Sequence, residues 1–462
     1  MSFGRAGRII WEKTGNGVIL SRVKSRTPGA YSRYTVSEMM GYHFKCSLCG
    51  EEYDAGQVRY VCPKHGDDGI LDTILDYRKI AATTSPEMIC NSRDYSIWRY
   101  SDLLPLDDPH ASAPPLHVGW TPLYLAAEAG KKLGLCNLYI KDDGRNPTAS
   151  FKDRASALVV AKARELRVDM ITTASTGNAG AALAGLAAAA HMPTVIFVPE
   201  TAPQAKIAQL LIFGSRVMLV KGNYDQAFDL CLAASREFGW YCRNTAYNPF
   251  TVEGKKTASF EICEQLSLAG SCGGGGAGKG FLAPDRIFVS VGDGNIISGL
   301  WKGLRDLAAL GWIDKMPMLM GVQAEGSAAC YNAWNAGTEQ ITPVSARTVA
   351  DSISADMPRD GVRAVRAVRE TNGAYLTVGD DEMLVAICDL SRSEGVFAEP
   401  AAAAAYAGLV KAVRQGLVKS DETVVCLITG SGLKDIKSAM QVAGEGTRIE
   451  PTLDAVRKLK FK

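Results

Sequence analysis

With 462 residues, 47% of them hydrophobic and 22% charged, the chain has the balance of a soluble globular protein and is too long for one simple core, so two or three domains are expected. A net charge of +2 gives no broad electrostatic basis for binding nucleic acid or an acidic membrane. No apolar run is long enough to span a bilayer, and no apolar signal core follows Met1-Ser2-Phe3-Gly4-Arg5, so a cytoplasmic protein is expected.

Residues 1 to about 40 mix basic positions with Gly, Ser and Thr and read as an extended arm, suited to drape over a partner subunit. Cys46-Ser47-Leu48-Cys49 follows, then twelve residues, then Cys62-Pro63-Lys64-His65, with Gly50 and Gly66 closing the two knuckles. This spacing brings Cys46, Cys49, Cys62 and His65 around a tetrahedral zinc ion, and four protein ligands leave no open position, so the ion would be structural. The competing reading is a ribbon that keeps its shape without metal. No basic stripe with interleaved aromatics surrounds it, which argues against nucleic acid. Cys231, Cys263, Cys388 and Cys426 fall in apolar patterns and read as small core hydrophobes. From Asp67 to about Pro115 the frequent Pro and Asp suggest an irregular linker.

A new unit starts at Gly119-Trp120-Thr121-Pro122-Leu123. A helix over 126–133 leads to a strand over 138–141. The turn-rich Asp142-Asp143-Gly144-Arg145 follows, then Asn146-Pro147-Thr148-Ala149-Ser150-Phe151-Lys152-Asp153-Arg154 and a helix over 155–167. Strands at 170–174, 194–198 and 216–220 alternate with helices ending at 191, 213 and 238, the pattern of βαβ units and a parallel sheet. Gly270 to Gly280 is a glycine-rich insertion; its P-loop-like spacing lacks the Ser or Thr after Lys279 and a preceding strand, so it reads as a flexible loop. Further strands are expected at 287–291, 319–322 and 424–428.

Lys152 stands where a strand hands over to a helix, the place where open α/β sheets bind ligands. Desolvation and the positive end of the helix dipole favour its neutral amine, the nucleophile that forms a Schiff base with an aldehyde cofactor. Three later turns each lie between an apolar strand and a helix. Ser175-Thr176-Gly177-Asn178 suits a carboxylate, and the Asn178 amide suits a phenolic oxygen. Gly292-Asp293-Gly294-Asn295 lets the backbone approach a phosphate. In Thr429-Gly430-Ser431-Gly432 a hydroxyl at a strand end can bond a neutral ring nitrogen. Together these are a site for pyridoxal phosphate and a small amino-acid substrate. A hydroxyl rather than a carboxylate at the ring nitrogen favours elimination and replacement over transamination.

The segment from Asn146 to Arg154 resembles the lysine motif of the threonine synthase family, which belongs to the fold-type II pyridoxal-phosphate enzymes. Ser175 to Gly180, Val291 to Ile296 and Thr429 to Asp435 resemble that family's carboxylate, phosphate and ring-nitrogen segments. Asn248-Pro249, Glu253-Gly254-Lys255-Lys256-Thr257 and Ala398-Glu399-Pro400-Ala401 also fit. The resemblance implies an α/β protein with two open, mostly parallel twisted sheets flanked by helices and an N-terminal zinc-ribbon-like extension. It implies an arm, ribbon and linker over 1–115, a large cofactor domain over 116–165 and 250–462, and a small substrate domain over 166–249. Lys152 would be the Schiff-base lysine and proton shuttle. Asn178, Gly292, Asp293, Gly294, Asn295, Ile296 and Thr429 would bind cofactor. Ser175, Thr176, Asn178, Ala179, Asn248 and Lys256 would bind substrate. The reaction would be elimination of phosphate from O-phospho-L-homoserine and addition of water to give L-threonine, in a homodimer.

Two positions depart from the family pattern. Ala149 stands where glycine is usual. Thr251 stands where many threonine synthases carry an arginine thought to bind the substrate phosphate, and the neighbouring cations able to compensate are Lys255, Lys256 and Arg154. The alternatives are a related β-replacement or elimination enzyme, of the cysteate synthase, cysteine synthase or serine/threonine dehydratase kind, and a catalytically inactive zinc-ribbon binding protein.

Overall fold

The computed structural model describes residues 41–271 and 280–459, together with the backbone of two short antiparallel strands, Ile10–Lys13 (β1) and Ile19–Arg22 (β2). The rest of the N-terminal arm and most of the Gly270–Gly280 insertion lie outside the described residues. Tyr42–Cys46 (β3), Glu52–Asp54 (β4) and Leu71–Leu75 (β5) form an antiparallel sheet in the order β4-β3-β5. This sheet carries both cysteine knuckles. The alternating burial of β3 and β5 turns Tyr42, Phe44, Leu71 and Leu75 inward.

The expected linker is more ordered than its composition suggests. Besides β5 it contains helices Tyr77–Thr83, Pro86–Cys90 and Pro109–Ser112 and a 3-10 segment, Ile97–Leu103. Asp76, Ser85 and Asp108 cap the three helices through their side chains, with Pro86 and Pro109 in the first turn. The residues that suggest irregularity are helix starters here.

The body is built from Leu123–Leu125 (β6), Asn137–Asp142 (β7), Ile171–Ala174 (β8), Thr194–Pro199 (β9), Arg216–Val220 (β10), Tyr241–Cys242 (β11), Arg286–Ser290 (β12), Met318–Ala324 (β13), Ala374–Val378 (β14) and Thr423–Ile428 (β15). The smaller sheet has the order β10-β9-β8-β11 and is parallel throughout. The larger has the order β14-β13-β12-β15-β7-β6, parallel except for β6. Every residue of β8 is buried, as are Val424 to Ile428 of β15, which is why these strands read as unbroken apolar runs. The α/β class with two mostly parallel sheets follows as expected. Cys231, Cys263 and Cys426 are buried in the core, and Cys388 is half-buried.

Two helices bring the sheets' functional ends together. Lys152–Glu165 and Phe250–Lys255 cross so closely that a Cβ on Gly254 would lie 2.2 Å from the Arg154 carbonyl oxygen. The ribbon packs onto the second of them, with Tyr42 and Phe44 edge-on to Phe250 at 6.2 and 5.9 Å.

Candidate active site

The segment before Lys152 is held from several sides. Asn146 accepts from the Gly119 amide at 2.9 Å, and Asp153 accepts from the Thr148 amide at 2.7 Å. The end of β15 stitches on: the Phe151 amide donates to the Thr429 carbonyl at 2.8 Å and the Ser431 amide to the Ala149 carbonyl at 3.1 Å. Lys152 opens its helix and lines a cavity between the two sheets. Among the described residues its amine has no hydrogen bond or ion pair. Burial pushes its pKa down to about 8, with Glu399 and Asp293 opposing and Arg243 assisting. At neutral pH this raises the neutral fraction roughly 300-fold over an ordinary lysine.

The facing wall is the turn after β12. A Cβ on Gly292 would lie 2.7 Å from Ile353 Cα, and one on Gly294, at φ +86°, would lie 2.7 Å from the Asp360 carbonyl oxygen. Only glycine lets the backbone take this path. It opens the helix Asn295–Ala309, whose first residues, Asn295 and Ile296, line the cavity. The Asn295 amide donates to Asp360 Oδ2 at 2.6 Å, and its carbonyl oxygen accepts from Lys255 and, at 3.4 Å, from Thr251. Burial raises the pKa of Asp293, against the pull of Lys152 and Lys255.

Asn178, Thr429, Thr245, Ser290, Ser352 and Glu399 close the cavity. Asn178 donates to Glu399 Oε1 at 2.8 Å. Thr429 and Ser290 hydroxyls lie 3.5 Å apart. Burial raises the Glu399 pKa, and Lys152 partly offsets it.

Lys152, Asn178, Gly292, Asp293, Gly294, Asn295, Ile296 and Thr429 thus line one cavity. Ser175, Thr176 and Ala179 are half-buried on the turn that carries Asn178, beside it rather than on the wall. Asn248 and Lys256 do not reach the cavity. The Asn248 amide donates to the Cys242 carbonyl at 2.8 Å and its oxygen accepts from the Phe250 amide at 2.9 Å, so it shapes the turn into the next helix. Lys256 is fully buried and paired with Glu253 and, at 2.8 Å, with Asp306. Arg154 is likewise committed, to Asp143 at 2.6 Å and Glu261 at 2.5 Å. Lys255 is the cation that lines the wall, because consecutive helical residues point about 100° apart. Its pKa lies well below the ordinary value through burial, with Lys152 and Arg243 adding to the effect. Ser290, Thr245 and Ser352 join the site without belonging to any of the motifs, whereas Glu399 comes from the family-like segment Ala398-Glu399-Pro400-Ala401, just before the helix Pro400–Arg414.

A second cluster lies in the ribbon. One ligand atom from each of Cys46, Cys49, Cys62 and His65 falls within 4.8 Å of the others. His65 Nδ1 is 3.8 Å from Cys46 Sγ and 3.5 Å from Cys62 Sγ, and the Tyr53 hydroxyl is 3.1 Å from Cys62 Sγ. Donor type and spacing fit a tetrahedral ion.

A reactive lysine, a glycine cradle at a helix N-terminus, an amide and a strand-end hydroxyl on one cavity are the groups that pyridoxal phosphate requires. Comparison with known proteins agrees. Residues 115–430 match the family of pyridoxal-phosphate dependent enzymes. The chain is 39% identical to the threonine synthase of Methanosarcina acetivorans over 91% of this chain and 99% of that protein. It is 36% identical to the threonine synthase of Methanocaldococcus jannaschii over 90% and 98%. In fold it is similar to threonine deaminase isoform 2 from Solanum lycopersicum, with TM-score 0.58, 24% identity and coverage of 70% and 86%. It also resembles diaminopropionate ammonia lyase from Escherichia coli, with TM-score 0.60, 17% identity and coverage of 76% and 93%. The chain belongs to the fold-type II pyridoxal-phosphate-dependent enzymes, in the threonine synthase family.

Proposed function

We propose that this lyase is a threonine synthase, converting O-phospho-L-homoserine and water to L-threonine and phosphate. The observation that carries the reading is the single cavity joining Lys152 to the Gly292–Ile296 cradle in a chain matched almost end to end by threonine synthases. Lys152 would hold the cofactor aldehyde, the cradle amides its phosphate, Asn178 its phenolic oxygen and Thr429 its ring nitrogen. When bound, pyridoxal phosphate supplies an electron sink for the substrate's carbon skeleton.

The chain's own groups account for the rest. Ser175 and Thr176, at the start of the helix Asn178–Ala189, receive the substrate carboxylate. The Lys152 amine, near pKa 8, takes and returns protons at neutral pH. Protons leave Cα and Cβ, the Cγ–O bond breaks as phosphate leaves, protons are returned to Cγ and Cα, and the hydroxyl of water adds at Cβ, with the remaining proton carried off on the hydrogen phosphate released. Thr429 keeps a neutral partner at the ring nitrogen, which favours this course over transamination.

Residues 166–249 hold all four strands of the smaller sheet, which supports reading them as the substrate domain, with 116–165 and 250–462 as the cofactor domain. The mutual spacing within 4.8 Å supports zinc at Cys46, Cys49, Cys62 and His65. Metal analysis of wild type and Cys46→Ser tests it; equal metal content would remove the assignment. The reading carries with it a cytoplasmic homodimer, supported by likeness to the family and testable by sedimentation. No helix of the described residues is long and apolar enough to cross a membrane.

The reaction is tested by incubating holoenzyme with O-phosphohomoserine and assaying threonine and phosphate. Equimolar products are expected. Turnover of O-phosphoserine with a sulfur nucleophile, and none of O-phosphohomoserine, would move the chain to the β-replacement enzymes.

A further inference from the structure

Arg243 follows β11 at the carboxyl end of the smaller sheet and is fully buried. Its Nε donates to Ser156 Oγ at 3.2 Å and its Nη1 to Thr245 Oγ1 at 3.1 Å, while Nη2 has no partner. No carboxylate pairs with it among the described residues. Ser156 is one helical turn beyond Lys152, and Thr245 lines the cavity, so the guanidinium lies directly behind the cavity wall. Burial pushes its pKa down to about 10, which leaves it charged at neutral pH. A buried, unpaired guanidinium with an idle N–H is strongly unfavourable in a fold, and such a group persists where a ligand supplies the missing charge.

We propose that Arg243, with Thr245, receives the phosphate of the amino-acid substrate, the duty that the family resemblance places on an arginine at position 251. Thr251 has no charge, and its hydroxyl donates to the Asn248 carbonyl at 2.8 Å. Arg154 and Lys256 are held by carboxylates. Lys255 is tied to Asn295 in the cradle. Unlike these three, Arg243 keeps an N–H without a partner, and its planar fork matches phosphate geometry. The assignment rests on the threonine synthase reading for the identity of the substrate, though not for the presence of an anion site.

The test compares holoenzyme of wild type, Arg243→Met and Arg243→Lys. Binding of O-phospho-L-homoserine, O-phospho-L-serine and L-homoserine is followed through the cofactor's visible absorption, with threonine release assayed in parallel. Arg243→Met should weaken both phosphorylated amino acids about 10- to 100-fold and leave homoserine unchanged, with Arg243→Lys in between. The substrate-free Arg243→Met protein should melt no lower than wild type, because an unpaired buried charge has been removed. A purely structural arginine would instead lower the melting temperature and leave the preference for phosphorylated ligands intact. Equal binding of phosphorylated ligands by wild type and Arg243→Met overturns the proposal, as does a wild type with no preference for them over homoserine. Phosphorylated ligands bound tightly by wild type and lost in the variant, with no threonine released, would uphold Arg243 and overturn the threonine synthase reading instead.

Discussion

Asp72, on the ribbon strand β5, accepts a hydrogen bond from Arg363, the residue that grips Asp360 beneath the cofactor cradle. Arg363 Nε and Nη2 reach the two Asp360 oxygens at 2.7 and 2.9 Å, and Asp360 Oδ2 accepts from Asn295 at 2.6 Å. All members are largely buried. The ribbon is therefore tied to the first residue of the helix that opens the cradle.

Arg363→Met would leave Asp360 buried without its cation. Such breakage costs about 3–5 kcal/mol. Denaturant unfolding should show that loss, and cofactor titration should show weaker binding than wild type. Chelation of a ribbon metal should weaken cofactor binding in the same direction, by loosening β5 under Asp72.

The Lys152 amine must be neutral to attack an aldehyde. With its pKa lowered to about 8, the rate of cofactor uptake by apoprotein should rise with pH and level off above about 8, where an ordinary lysine would climb past 10. Arg243→Met removes a positive neighbour and should move the midpoint up. Glu399→Gln removes a negative one and should move it down. Stopped-flow uptake across pH 6 to 10 reads all three.

Ala149 holds φ at +61°, the left-handed region. A Cβ there costs about 1–2 kcal/mol, partly offset by glycine's greater freedom when unfolded. Ala149→Gly should therefore stabilise the protein by about 0.5–1 kcal/mol in denaturant unfolding. The usual glycine at this position has a backbone reason, and the departure puts strain next to Lys152.

Gly254→Ala would force a Cβ to within 2.2 Å of the Arg154 carbonyl oxygen and push apart the helices carrying Lys255 and Lys152. Overpacking of this kind costs about 1–3 kcal/mol. A lowered melting temperature together with a shifted cofactor spectrum is the expected result.

The parts of the site legible in the sequence are those in which an apolar strand runs into a Gly-, Ser- or Thr-rich turn: Ser175 to Asn178, Gly292 to Ile296, and Thr429. There local chemistry and position coincide. Arg243 escapes such reading, because it lies in no motif turn and matters only through distant neighbours; Glu399 stands in the family-like Ala398-Glu399-Pro400-Ala401, but nothing local there assigns it a role. The choice between Lys255 and Lys256 needs the phase of the helix Phe250–Lys255 against the cavity, which a short amphipathic stretch does not specify. The stretch 67–115 misleads for another reason: Asp76, Ser85 and Asp108 end loops and begin helices with the same side chains.

The cavity presents two lysines with lowered pKa, Lys152 and Lys255, and the cofactor aldehyde can be held by one of them. Lys255 is tied to Asn295, whereas the Lys152 amine is unengaged among the described residues. Borohydride reduction of the holoenzyme, followed by peptide mass spectrometry, fixes the pyridoxyl group where it stands. The prediction is one group per chain, on the peptide containing Lys152, and none on Lys152→Ala protein. Labelling of Lys255 in the wild type would contradict the account at its centre.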